Sequence, residues 1–184
     1  MTLLQLVTIY IAGAAAGFMN VMAGGGSMVT LPVLMWIGLP PHVANATNRL
    51  GVIFESGIGV KTFRSGGMRF DKSILPAIVS TTIGSIIGSM FVSFLIGAIT
   101  FSYGFDLVRT NFTKIVIVFI YTAFALVIFI LNGMIYWFPG LVLAAGNVVG
   151  AYFAARLSIR KGSGFVRWIL LIIVVANAIK YLFF

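Results

Sequence analysis

Residues 24–27 read Gly-Gly-Gly-Ser inside one of the most apolar stretches of the chain, NVMAGGGSMVTLPVL (residues 20–34). Three glycines in a row break a helix, because glycine adopts left-handed backbone as readily as right-handed. In hydrocarbon such a break is tolerated only where protein or a water-filled cavity satisfies the freed backbone groups. Ser27 is a suitable N-cap for a helix over residues 28–37. The amides of Gly24, Gly25 and Gly26, with the positive end of that half-helix, would then form an anion site. The plainer reading is a tight re-entrant turn that serves packing alone.

A second polar set is Asn45, Thr47 and Asn48, with Asn111, Thr113 and Lys114 in the other half of the chain. At the start of an apolar helix such residues either cap the first amides or line a substrate path. Lys114 either attracts an anion or lays its stem along apolar surface with the ammonium at the interface. Glu55 falls in the middle of an apolar segment, where an ionisable group is costly and is a functional candidate by default. It either relays a proton, pairs with Arg49 or Lys61, or sits nearer the interface. His42, after Pro40-Pro41, reads as a loop histidine at the surface.

The elements that must position these residues are apolar and long. Of 184 residues 61% are hydrophobic and 8% charged, and the mean hydropathy is +1.15. A soluble domain carries about a quarter charged residues, so the class is an all-α polytopic membrane protein. One histidine, three acids (Glu55, Asp71, Asp106) and no cysteine cannot make a disulfide, a carboxylate metal cage or a Ser-His-Asp triad. Neither enzyme chemistry nor a metal or cofactor is expected. The net charge of +9 comes from twelve Lys and Arg residues set mostly between apolar segments. That pattern suits cytoplasmic loops beside anionic lipid and not nucleic acid. Residues 1–18 lack a basic n-region, so they read as a retained first segment.

Apolar stretches cover residues 3–22, 43–63, 73–103, 110–131, 135–155 and 168–184, whereas 28–38 is too short to span. Shifting the sequence by 66 positions lays residues 38–89 on 104–155 without a gap. Gly38 then meets Gly104, Asn45 meets Asn111, Thr47 meets Thr113 and Gly67-Met68 meets Gly133-Met134. We read one transmembrane domain over 1–184, with a first repeat over about 1–95 and an incomplete second over about 96–184. Charge follows the first span at Lys61, Arg64, Arg69 and Lys72, but precedes its counterpart at Arg109 and Lys114. Under the positive-inside rule the halves are inverted, an arrangement common in secondary transporters. Gly84-xxx-Gly88 and Gly146-xxx-Gly150 suit close helix packing, and Trp137 and Trp168 suit the interface.

The stretch GFMNVMAGGGSMVTLPVLMWIGLPPHVANATN resembles the N-terminal signature of the TauE/SafE family of sulfite exporter-like permeases. GFDLVRTNFTK and GLVLAAGNVVGAYFAARLSIRKG resemble that family's second half. The resemblance implies a multi-pass permease of the cytoplasmic membrane for sulfite, sulfonates or other small organic anions. Its implied partners are membrane lipid and a small anion; homo-oligomer formation is left open. Family members are usually longer, and each half begins with its own glycine-rich break. Here the second break should fall at residues 90–98, which read MFVSFLIGA. A shortened, non-transporting membrane protein or scaffold of the same family is therefore the alternative.

Overall fold

The computed structural model describes residues 1–69, 76 and 107–183. Apart from Pro76, the apolar segment expected at 73–103 lies outside the described residues, as do Asp71, Asp106, Gly84-xxx-Gly88 and the stretch 90–98. The described residues are helical, with no strand among them: α1 (Leu3–Met22), α2 (Ser27–Trp36), α3 (Pro41–Ser65), α4 (Leu107–Leu131) and α5 (Trp137–Phe183). Among the described residues three stretches are long and apolar enough to cross a membrane: Leu3–Met22, Asn111–Leu131 and Trp137–Ile169. Their exposed faces carry large apolar side chains, among them Leu3, Ile11, Phe124, Ile128 and Phe153.

Local sequence explains the helix ends. Thr2 and Gln5 close a capping box on α1, the hydroxyl accepting from Gln5 N–H and the carboxamide from Thr2 N–H. Pro41 starts α3, where a missing N–H costs nothing. α2, α3 and α4 end alike, each with a glycine of positive φ two residues past the last helical one: Gly38 (97°), Gly67 (89°) and Gly133 (65°). In α3 the amides of Gly67 and Met68 donate to Arg64 O and Phe63 O, at 3.0 and 3.1 Å. In α4 those of Gly133 and Met134 donate to Ile130 O and Phe129 O, at the same distances. α3 and α4 are both 25 residues long and both begin and end 66 positions apart.

Direction follows from which residues meet. Gly57 faces the ring of Phe119, Gly59 faces Ile115, and the rings of Phe63 and Phe112 lie 5.8 Å apart. Rising numbers on α3 meet falling ones on α4, so these two helices are antiparallel. α5 runs parallel to α3: Tyr136 N–H donates to Thr47 Oγ1 at 3.0 Å, Gly51 meets Asn147, and Gly66 meets Ile159. α1 is parallel to α5 and touches it backbone to backbone. A Cβ on Gly146 or Gly150 would strike the carbonyl of Tyr10 or Ala14, and one on Gly17 would strike that of Asn147. Gly13-xxx-Gly17 is thus the partner of the expected Gly146-xxx-Gly150 packing face.

One expectation changes. The basic group from Arg156 to Lys161 does not lie in a loop after a span ending at 155; α5 continues through it, and the helix breaks only at Gly162 (φ 70°). Lys61 and Arg64 are likewise helical, on the last turns of α3. Because α4 opposes α3 and α5 parallels it, Arg64, Arg109 and Arg160 all lie toward one end of the bundle.

Candidate functional site

The glycine run makes a hairpin tip. α2 turns back along α1: Gly26 is held by Asn20, while Leu34 clusters with Ile9, Ala44 and Leu143. Gly24 and Gly25 have φ of 97° and 85°, a conformation that only glycine adopts without strain. A Cβ on Gly24 would meet nothing within 4 Å, so the tip is open on that side. α1 alone is about 30 Å long at 1.5 Å per residue, and its last turn packs beside Glu55 and Gly59 of α3.

Ser27 does not cap α2, contrary to expectation. The N-cap is Gly26, and Ser27 is the first helical residue. Its hydroxyl accepts from Asn48 Nδ2 at 3.1 Å, while Asn48 Oδ1 accepts from Thr30 Oγ1 at 2.8 Å. Asn48 of α3 thus clamps two successive turns of α2. Glycine takes the N-cap because the backbone must approach α1 closely: a Cβ at Gly26 would lie 2.5 Å from Ala16 O.

Asn20 is the centre of the site, a residue that sequence reasoning did not single out. Its Nδ2 donates to Glu55 Oε1 at 2.6 Å and its Oδ1 accepts from Gly26 N–H at 2.7 Å. Glu55 is 2% exposed, and its Oε2 has no hydrogen-bond partner. It takes its bond from α1, not from Arg49 or Lys61. The available signal was a carboxamide inside an apolar helix just ahead of the glycine break.

The last four carbonyls of α1 are all occupied. Met19 O accepts from the amides of Ala23 and Gly24. Asn20 O and Val21 O accept from Lys114 Nζ at 2.7 and 3.3 Å, and Met22 O from Asn111 Nδ2 at 3.0 Å. Helix carbonyl ends carry partial negative charge, which a cation stabilises by about 0.3–1 kcal/mol at a surface and more when partly buried. Lys114, 5% exposed, does not snorkel.

The remaining sequence candidates serve elsewhere. Thr47 receives the amide just ahead of α5, Thr113 is buried, and Asn45 is half-buried. Asn147 was not foreseen as a polar feature: it is 0% exposed between Gly13, Gly17 and Gly51, and neither side-chain polar atom has a partner among the described residues.

A helical hairpin turned back among apolar helices, with a buried acid and a buried amine near its tip, suits a membrane transporter, and the family and relatives that the chain matches are of that class. The model of the sulfite exporter TauE/SafE family matches residues 9–101 and 92–181, and the chain belongs to that family. It is 21% identical to a "Probable membrane transporter protein ORF9" of Sinorhizobium sp, over 96% of this chain and 92% of the relative. It is 23% identical to a "Probable membrane transporter protein" of Haemophilus influenzae, over 88% of each chain. The first alignment spans 241 positions against 184 residues here, so the relative carries internal residues that this chain lacks. No solved structure matches the chain.

Proposed function

We propose that this chain is a multi-pass permease of the cytoplasmic membrane that moves small anions such as sulfite or sulfonates. The observation that carries the reading is the glycine tip, open beside Gly24, with the buried amino group of Lys114 behind it. The family and its relatives support transport, and the amino group of Lys114 behind the tip favours a small anion as the substrate. With Glu55 ionised, the Glu55 and Lys114 charges offset each other. A proton on Glu55 leaves Lys114 in surplus and favours an anion at the tip, so proton and anion travel together. Asn20 transmits the change, since the same carboxamide holds Glu55 and the first amide of α2. Asn48, Thr30 and Ser27 keep α2 in place beside the path.

The test is uptake of labelled sulfite into proteoliposomes, with sulfonates as competitors, for the parent chain and Gly25→Leu. Leucine at φ 85° is strained and fills the open tip, so flux is expected to collapse. If the parent chain moves no anion, the permease reading is wrong.

One observation favours the alternative of a shortened, non-transporting membrane protein: the gap that the relatives fill and this chain does not. A cooperatively melting chain without flux for any anion would select it.

A further inference from the structure

We infer that Lys114 is a built-in substitute for a coupling cation, so that this permease works without sodium. Broken helices in transporters bind Na⁺ through the carbonyls of the half-helix end. Here those carbonyls exist, and a side chain fills them: the ammonium takes Asn20 O at 2.7 Å and Val21 O at 3.3 Å, and Asn111 takes Met22 O at 3.0 Å. Both donors come from successive turns of α4, whereas all three carbonyls belong to the hairpin. The geometry is that of a monovalent cation site closed by a tethered charge. An ε-ammonium is a compact point charge with three donors, the side-chain group closest in character to an alkali ion. Glu55 of α3 faces the same point through Asn20, supplying the acidic group such a site needs. Unlike an ion, Lys114 is tethered and cannot leave with the substrate, so the group that fills these carbonyls stays at the tip.

The inference rests on the transporter reading only for its consequence, and the experiment separates the two. The purified chain is melted in detergent with NaCl or choline chloride at equal ionic strength, and sulfite uptake is measured in the same two salts. The parent chain is expected to show the same Tm and the same flux in both. Lys114→Ala is expected to melt several degrees lower in choline and to regain much of that loss in NaCl. A parent chain whose Tm or flux rises with sodium overturns the inference. So does a Lys114→Ala variant that melts like the parent in choline, or one that melts lower and gains nothing from sodium. If Lys114→Ala does not fold, Lys114→Gln carries the same comparison. Absence of sulfite flux in either salt sinks the permease reading, while the melting comparison still decides the role of Lys114.

Discussion

Glu55 of α3 and Lys114 of α4 meet through one residue, Asn20 of α1. The carboxamide Nδ2 of Asn20 donates to Glu55, and its backbone oxygen accepts from Lys114. An acid and an amine from two antiparallel helices are thus joined at the last turn of a third, one turn from the glycine tip. Local charge balance, tip position and helix packing share a single hinge residue.

Substituting that hinge should be costly. Asn20→Ala leaves Glu55 Oε1 and Gly26 N–H without partners, at about 1–3 kcal/mol for each buried group. A clear fall in Tm and loss of sulfite flux are expected, with Asn20→Gln no better because the longer chain misplaces both bonds. Parent-like flux in Asn20→Ala would show that the tip does not depend on this link.

Contact between α1 and α5 is made of backbone. Gly150→Val places side-chain atoms against Ala14 O, and Gly146→Val against Tyr10 O. Overpacking of this kind costs about 1–3 kcal/mol, which thermal melting will show as a lowered Tm. Gly164→Ala, helical and with nothing within 4 Å of an added Cβ, is the control and should keep or raise Tm.

Gly67 and Gly133 end their helices with matching bonds and matching positive φ. Alanine at either should cost about 1–2 kcal/mol, since an L-residue in left-handed backbone carries that penalty. The two sites lie at opposite ends of an antiparallel pair, so the double variant should lose the sum. Unequal losses would mean that the shared geometry hides different environments.

Orientation is directly measurable because the chain has no cysteine. Single cysteines at Arg69, Arg109 and Arg160 should react with a membrane-impermeant reagent from the cytoplasmic face, and one at Asn132 from the opposite face. Arg109→Cys reacting opposite to Arg69→Cys would contradict the antiparallel arrangement of α3 and α4.

Asn147 offers a different kind of test. A buried carboxamide without partners carries a desolvation cost that an apolar residue of similar size avoids. Asn147→Leu should therefore keep or raise Tm. A large fall would show that a bound water or solute satisfies the carboxamide.

Much of the architecture was legible in the sequence because it depends on local rules. Apolar length marked most of the helices, and α3 and α4 share their length and the 66-residue spacing that the sequence offset pairs. Family membership was legible too, carried by the glycine-serine run and the polar residues after it. The glycine break was also readable, but not what it does to direction: only packing shows α2 folding back along α1. Ser27 illustrates the limit. Its type suits an N-cap, yet Asn48, far off in sequence, claims its hydroxyl, and the tight approach to Ala16 demands glycine at the cap. Asn20 was invisible for a related reason, since a single carboxamide gains meaning only when a carboxylate and an amide reach it from other elements. Sequence alone determined the all-helical class and the glycine break between α1 and α2, because hydrophobicity and glycine freedom act within a few residues. Tertiary structure alone decided which charges meet, because Glu55 and Lys114 are brought to Asn20 by packing between helices and by no local preference.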